Sequence, residues 1–414
     1  MRKSFIFLFT VFVCLLGSAA AQPEINSQIN SAASSDVTIE NSLSASDIAG
    51  RISEARQLLS LRPASDISRE VVRVAAYDMD ASQTMIFSLP KTEFLKRDAV
   101  LLTTANSGRP LRVQVVRANG VNTAVVVTDT SNGHSLVPLL AEFPIVKGGA
   151  VTEMAYYTSA HPALLSPSVT AAGKSYVRTM LEAAVARLAN DGVAVPADIV
   201  DIAEHLCIVE HTDHKRFMNE DHTVLFPEIL SLYALNQGNT YRYSVSTAGA
   251  GGMIQMIPRT YEAIRQQHPG VSLHADFVQG MRDHANALEA MLLYMNDTWN
   301  NLAQSTEVQD ALRNGIATKP ELMAAGYNSN PMRLPLYLKN GAAQWRTLIP
   351  AETQIYLRIY SSVDQTLQLG ESSKASTKAR VAAVVGSPSS TATVFSWFSR
   401  SLPVSGSFLT NFLY

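Results

Sequence analysis

The sequence predicts an α+β protein, in which a β-rich module is followed by an all-α domain. Between about Val71 and Val146, apolar and polar residues alternate in short runs, which is typical of half-buried strands. Beyond Gly149, apolar residues recur every three or four positions, which indicates helices. A chain of 414 residues is also too long for one ordinary core, so we expect separate modules and tails.

The first residues have the pattern of a secretory signal peptide. Arg2 and Lys3 precede an apolar run that ends at Leu16, and small residues follow up to Ala21. The run is too short to cross a bilayer. We therefore expect residues 1–21 to be a signal peptide and the protein to be exported to the periplasm or cell envelope, or secreted. Without this segment Cys207 is the one remaining cysteine, so no internal disulfide can form.

The predicted β-rich module covers residues 46–150 and follows a leader, residues 22–45, whose Ser, Asn and Ala content predicts flexibility. A short helix is expected first, with Leu58 and Leu59 on its apolar side. In the strand region, Asn119-Gly120 separates two alternating runs and predicts a hairpin turn. A structural or spacing role is favoured for this module over ligand binding.

The predicted all-α domain covers residues 151–370. One apolar stripe ends at Asn190-Asp191-Gly192, which is typical of a helix C-terminus, and Pro196 is well suited to open the next helix. Further helices are expected at about 259–267 and 281–303. Residues 371–414 are Ser/Thr-rich over most of their length and are predicted to be a mostly disordered tail of low complexity.

Composition argues against two classes of partner. Charged residues make up 16% of the chain, the formal net charge is −2, and there is no basic run. Nucleic acid is therefore not an expected ligand. No segment after the signal peptide is apolar and long enough to suggest an integral membrane span.

Glu210 is the carboxylate with the most informative position. The helix that begins near Pro196 has an inward stripe that includes Ala203 and Leu206, and Glu210 continues this stripe at the helix end. Burial beside apolar residues raises a carboxyl pKa, as a proton donor near neutral pH requires. The helix dipole does not favour a carboxylate at this end, so a functional reason is indicated, although an ordinary helix end fits the same pattern. Glu204 is expected on the polar side.

Three motifs follow Glu210 along the chain. The first is Ser246-Thr-Ala-Gly-Ala-Gly-Gly-Met-Ile-Gln-Met-Ile-Pro258, in which glycines remove side-chain bulk and Gln255 offers an amide. The second is Gly326-Tyr327-Asn328, and the third is Pro350-Ala-Glu-Thr-Gln-Ile-Tyr356. Taken alone, the first also fits a tight turn and the second a core tyrosine.

The order of Glu210 and these motifs resembles the soluble lytic transglycosylase family over roughly residues 197–360. The resemblance implies a lysozyme-like helical domain with Glu210 as catalytic acid and base. It also implies a glycan groove formed by Ser246, Gly249, Ala250, Met253, Gln255, Tyr327, Asn328 and Tyr356. Glu352 is assigned to the structural part of the third motif.

This chain departs from the family pattern at three places. His211 follows Glu210 where the family usually has Ser, and Gly326 stands where it has Ala. The interval between Glu210 and Ser246 is 35 residues, which is longer than in the family. Residues 211–244 are therefore expected to be an insertion beside the groove. Glu228, within this segment, is the reserve candidate for the acid, since Phe226-Pro227 directly before it fits the start of a further helix.

The resemblance implies cleavage of peptidoglycan between N-acetylmuramic acid and N-acetylglucosamine, with a 1,6-anhydro product and no cofactor. One acid is enough for this reaction because the substrate supplies its own nucleophile. A lysozyme-type hydrolase and a non-catalytic glycan-binding protein remain alternatives. A metal-dependent hydrolase is disfavoured, because a solvated polar loop also explains the nearby candidate ligands and their spacing does not match the His-Glu-x-x-His arrangement. These candidates are His205, His211, Asp213, His214 and His222.

Overall fold

The computed structural model describes residues 44–63 and 67–369. These residues belong to one compact unit. The predicted signal peptide, nearly all of the predicted leader and the predicted tail lie outside the described residues. The architecture is mixed α+β, as the sequence predicts, with a curled antiparallel sheet and many helices.

The sheet has seven strands in the spatial order β2-β1-β6-β5-β4-β3, and β7 pairs with β6. The strands are β1 (Val71–Asp78), β2 (Gln83–Pro90), β3 (Val100–Thr104), β4 (Pro110–Arg117), β5 (Ala124–Asp129), β6 (Ser135–Lys147) and β7 (Ala150–Tyr157). All pairs are antiparallel. The predicted hairpin at Asn119-Gly120 is confirmed, since β4 pairs with β5 and Gly120 has a φ of 53°.

The sheet extends past the predicted module boundary at residue 150. Gly148 and Gly149 have φ values of 56° and 81°, which allow a tight turn, and β7 then returns along β6. The boundary was therefore placed too early, because the residues of β7 lack the strict alternation used to assign the earlier strands. The first helix, α1 (Ala45–Ser60), packs its Ile48, Ala55 and Leu59 on the sheet.

The short helix α2 (Lys91–Phe94) follows β2 and adds Phe94 to the sheet core. The other helices surround a second apolar core. They are α3 (Pro167–Asn190), α4 (Ala197–Val209), α5 (His214–Asn219), α6 (His222–Asn236), α7 (Pro258–Gln267), α8 (Phe277–Arg282), α9 (His284–Leu302), α10 (Thr306–Arg313), α11 (Lys319–Asn328), α12 (Leu334–Gly341) and α13 (Ala351–Leu367). The helices predicted at about 259–267 and 281–303 correspond to α7 and α9. No helix in the described ranges is long and apolar enough to cross a membrane.

The segment 211–244, expected to be an insertion beside the groove, is built into the cores of the molecule. It contains α5 and α6, and Leu232 of α6 lies in the sheet core while Leu230 lies in the helical core. Helix α3 approaches α6 closely at Gly173, where an added Cβ would lie 1.9 Å from the carbonyl oxygen of Leu230. This segment therefore joins the sheet to the helices.

Helix α4 lies at the centre of the helical half. Nearly all its residues after Asp198 are buried, so the helix is enclosed on nearly every side. Glu204 is also buried, at 3% exposure, and pairs with Arg178 of α3 at 3.2 Å. Its predicted place on a polar side was wrong, because an arginine from a neighbouring helix supplies the counter-charge within the core.

Candidate active site

Glu210 caps the C-terminal end of α4. Its backbone N–H donates to the carbonyl of Leu206 at 3.0 Å, so the residue continues the last helical turn. The preceding residues are locked in the core, which fixes the position of the Glu210 side chain. That side chain keeps partial exposure to solvent, as a group that exchanges a proton with a bound molecule requires.

The carboxyl group of Glu210 has an environment that favours its protonated form. Burial raises the pKa of Glu210 to about 8. The charge of Glu352 also raises this pKa, whereas the hydrogen bond from Tyr356 lowers it. The Tyr356 hydroxyl donates to Oε1 of Glu210 at 2.5 Å. Glu210 therefore holds a proton at neutral pH while Tyr356 fixes the orientation of its carboxyl group.

The glycine-rich motif forms a short 3₁₀ turn, Gly252–Ile254, beside this carboxyl group. The His211 ring donates from Nε2 to the carbonyl of Met253 at 2.8 Å, and the Tyr327 hydroxyl donates to the carbonyl of Ile254 at 2.7 Å. His211 directly follows Glu210, so one anchor of the turn comes from the end of α4 itself. The turn is thus held at two carbonyls by groups from α4 and α11.

Gly252 has no tolerated replacement in this turn. Its φ is 68°, and an added Cβ would lie 2.3 Å from the carbonyl oxygen of Met281. The turn therefore packs directly against the backbone of α8, and only glycine fits at this contact. Gln255 ends the turn in a left-handed conformation with a φ of 47°.

Gln255 was expected to hydrogen-bond a glycan, but its amide nitrogen is used within the loop. It donates to the carbonyl of Gly252 at 2.8 Å and to the Ser244 hydroxyl at 3.2 Å. Among the residues that the structure describes, its amide oxygen has no hydrogen-bond donor. Only this oxygen is available to accept from a ligand without rearrangement of the loop.

The remaining residues of the first motif have local roles. Ser246 donates its N–H to the carbonyl of Ala250 at 2.8 Å, and its hydroxyl accepts from the N–H of Ala250 at 3.0 Å. Gly249 has a φ of 79°, which closes this small loop. Ala250 and Met253 are buried. Ser246 therefore stabilises the loop that carries the turn.

The second and third motifs are brought together by the packing of α11 on α13. Tyr327 lies close to Glu210. The pKa of Tyr327 is raised mainly by burial and further by the charge of the Glu210 carboxylate. Asn328 accepts a 2.8 Å hydrogen bond from Thr353 in the first turn of α13. Gly326 has a physical reason for replacing Ala, because a Cβ there would lie 3.0 Å from Cβ of Pro331.

The structure does not support the reserve acid, Glu228. This residue lies inside α6 and not at a helix start, and it forms ion pairs with two arginines. Arg216 binds both carboxylate oxygens at 2.9 and 2.7 Å, and Arg117 of β4 binds Oε1 at 2.7 Å. Burial raises the pKa of Glu228, but these two cations outweigh it and the net shift is downward. Glu228 is therefore ionised and holds the sheet to the helices.

Two residues near Glu210 were missed as contributors to the site. His211 anchors the turn and stacks on Tyr241 with ring centroids 3.4 Å apart, and burial lowers its pKa to about 3, so it is neutral. Glu352 is exposed and adds negative charge near Glu210. Its spacing of four residues from Tyr356 places both on one face of α13 and could have indicated this.

Two of the candidate metal ligands, His205 and His222, are engaged elsewhere. His205 bonds the Asp201 carbonyl and Asp364, and His222 bonds the Phe217 carbonyl and Ser362. Within residues 44–63 and 67–369, no group of three His, Cys, Asp or Glu side chains is arranged to hold a metal ion. His205 and His222 therefore have structural roles.

The arrangement supplies one protonated carboxyl, a phenol that orients it and an adjacent turn with close backbone packing. Such a set can donate a proton to a leaving oxygen and later recover one. No protein-family model, curated protein or solved structure matches this chain.

Proposed function

We propose that this protein is an exported lytic transglycosylase that cleaves peptidoglycan glycan strands, with Glu210 as the single catalytic acid and base. The observation that carries the proposal is the Glu210 carboxyl group, which holds a proton at neutral pH and is oriented by Tyr356. The order of the motifs along the chain adds to it. The N-terminal pattern of Arg2, Lys3 and the following apolar run supports export to the cell envelope.

In the first proposed step, Glu210 donates its proton to the oxygen that bridges N-acetylmuramic acid and N-acetylglucosamine. The bond from that oxygen to the muramic C1 breaks, and the N-acetyl group of the same sugar stabilises the electron-poor carbon. Glu210 is left ionised, and the Tyr356 hydroxyl stabilises this form by a charge-assisted hydrogen bond.

In the second step, the Glu210 carboxylate takes the proton of the muramic 6-hydroxyl. Its oxygen attacks C1 and closes the 1,6-anhydro ring, so that no water is consumed and Glu210 regains its proton. No second carboxylate is needed as nucleophile, because the substrate provides both the assisting group and the attacking oxygen. Glu352 is thus proposed to tune the proton affinity of Glu210, not to react.

The proposed groove lies beside Gln255, at the end of the buried 252–254 turn. The free amide oxygen of Gln255 can accept from a sugar hydroxyl or N-acetyl N–H. Ser246, Gly249 and Asn328 are proposed to support this surface indirectly, through the loop and the α11–α13 contact.

The test is mass spectrometry of the soluble products that the purified protein releases from peptidoglycan. The native protein is expected to release 1,6-anhydro muropeptides, and Glu210→Gln should release at least about 100-fold less, the usual size of a general acid's contribution. Glu262→Gln is a matched control, since Glu262 is exposed on α7 and pairs with Arg265 and Gln266. It should retain full release.

Other product patterns would replace this proposal. Products with reducing ends, lost in Glu210→Gln, would identify a lysozyme-type hydrolase that uses water in the second step. Binding of glycan strands without any released sugar, unchanged by Glu210→Gln, would identify a non-catalytic glycan-binding protein. Loss of activity with a chelator, together with bound zinc, would identify a metal enzyme.

A further inference from the structure

A second cleft lies apart from Glu210, between α3, the loop before residue 243 and the start of α9. Its volume is about 430 Å³, within the range of small-molecule sites. Two arginines, Arg242 and Arg282, line it together with Tyr176 and Gln279. None of the residues proposed to bind or cleave the glycan lines it.

The two arginines share a single carboxylate. Arg282 binds Glu153 of β7 at 3.1 Å, whereas Arg242 approaches it only to 3.6 Å. The Tyr243 hydroxyl donates to the same carboxylate at 2.5 Å, so much of the acceptor capacity of Glu153 is occupied. Nε of Arg242 is buried and has no hydrogen-bond partner among the described residues. Two guanidinium groups therefore face one carboxylate, and part of their hydrogen-bonding capacity stays unused.

The acidic residue in the lining, Asp283, is engaged at the start of α9. Its carboxylate caps this helix by accepting from the N–H groups of Ala285 and Asn286, and it also contacts His274 at 3.3 Å. Among the described residues, Arg242 and Arg282 pair with Glu153 and not with Asp283. The guanidinium groups therefore keep donors for a ligand.

The floor of the cleft is rigid and polar. His284 is buried and bonds the Thr240 carbonyl through Nε2 at 2.8 Å, so that nitrogen carries the proton. Its Nδ1 then accepts from the Tyr176 hydroxyl at 2.9 Å. A ligand would therefore enter a site whose walls are already fixed, which reduces the entropic cost of binding.

We propose that this cleft binds the carboxylate of a short peptide. The guanidinium group matches a carboxylate in geometry and charge, and the cleft has room for the adjoining residues. The identity of the peptide as the stem peptide of peptidoglycan rests on the proposed function. The position agrees with this assignment, since Arg282 directly follows Met281, whose carbonyl packs against the glycine of the proposed glycan turn.

The test is isothermal titration calorimetry of the full protein with the sugar-free tripeptide L-alanyl-γ-D-glutamyl-L-lysine. Its carboxamide form, chitotetraose and inorganic phosphate serve as comparison ligands. The tripeptide with free carboxylates is expected to bind, and Arg242→Gln or Arg282→Gln should weaken its binding about tenfold or more, as loss of a charged hydrogen bond implies. The native protein should bind the carboxamide form as weakly as the arginine variants bind the tripeptide.

Glu153→Gln is the matched control for folding, because it removes the same ion pairs but keeps both arginines. It should bind the tripeptide as tightly as the native protein or more tightly. Gln279→Glu changes an exposed side chain of the cleft and should weaken binding by adding a like charge. This second variant keeps the test decisive if an arginine variant does not fold.

Three outcomes would overturn the proposal. The first is no binding of the tripeptide, and the second is equal binding of its carboxylate and carboxamide forms. The third is an affinity of the arginine and Gln279→Glu variants for the tripeptide equal to that of the native protein. Binding of phosphate with exclusion of the tripeptide would also overturn it, in favour of a small-anion site. Glu210→Gln should bind the tripeptide normally. Failure of this proposal is therefore distinguishable from failure of the proposed glycan cleavage, which is judged by released products.

Discussion

Glu210 and Glu228 are shielded carboxyl groups on neighbouring helices with opposite electrostatic environments. Glu210 meets a phenol and the charge of another carboxylate, and its pKa rises to about 8. Glu228 meets two guanidinium groups, and its pKa falls. Burial raises the pKa of both, so the counter-charge decides which one keeps its proton. Of these two carboxyl groups, only Glu210, which no cation reaches within the described ranges, is therefore a candidate acid.

The largest expected effect concerns the pH dependence of stability. The pKa of Glu210 is higher in the folded state than in the unfolded state, whose value is near 4.5. Between pH 4.5 and about 8 the folded state binds more protons, so its stability falls as pH rises. Glu210→Gln has no carboxyl group at this position and lacks this loss. Its free energy of unfolding, relative to that of the native protein, should therefore rise by on the order of 4 kcal/mol across that pH window.

Urea unfolding of the two proteins at several pH values measures this gain. Other titrating groups are common to both proteins and cancel in the difference. If the difference in free energy of unfolding between the two proteins stays constant between pH 4.5 and 8, the Glu210 carboxyl group is ionised in the folded protein throughout this range.

Glu228→Gln should have the opposite consequence for stability. It leaves Arg117 and Arg216 partly buried with only a neutral amide between them, so we expect a loss of about 3 kcal/mol. Urea unfolding at neutral pH measures it. Folded Glu228→Gln should still release muropeptides, and a loss of chemistry as severe as that of Glu210→Gln would return Glu228 to consideration as the acid.

Tyr356→Phe tests the hydrogen bond that orients the acid. The phenol stabilises the ionised carboxylate, so its removal should raise the pKa of Glu210 further. The alkaline limb of the kcat/KM profile should move up by about one pH unit. Tyr360→Phe, on the same helix but stacked on His205, is the control and should leave the limb unchanged.

Glu352→Gln should give the smallest effect, with the opposite sign. Removal of this negative charge lowers the pKa of Glu210 and should move the alkaline limb down by a few tenths of a pH unit. Because Glu352 is exposed, the shift should shrink as salt is added. A shift that persists in 1 M salt would mean that Glu352 acts through a direct contact and not through its field.

Local patterns predicted several elements correctly. The alternation in residues 111–128 predicted the β4–β5 hairpin, and the cap at Asn190-Asp191-Gly192 predicted the end of α3. Errors arose where a neighbour overrides a local pattern. Glu204 looks solvent-facing by period but pairs with Arg178 inside the core, and Pro227 looks like a helix start but lies within α6.

The candidate site was predicted in part. The apolar stripe of α4 pointed to Glu210, and the motifs pointed to Gln255, Tyr327 and Tyr356. The amide of Gln255 turns into its own loop, and Ser246 serves that loop, because both residues satisfy backbone groups that a short turn leaves unpaired. No pattern could have shown this, since the loop conformation depends on the packing of Gly252 against Met281.

The sequence by itself determined the α+β class, the limits of a few helices and the position of a carboxyl group at the end of an apolar helix. These depend on periodicity and capping, which act over a few residues. Only the tertiary structure decided that Tyr356 reaches Glu210 across 146 positions, whereas Arg117 reaches Glu228 across 111. Protonation depends on such distant partners, because the charge that sets a pKa must lie within a few ångströms in space, wherever it lies in the chain.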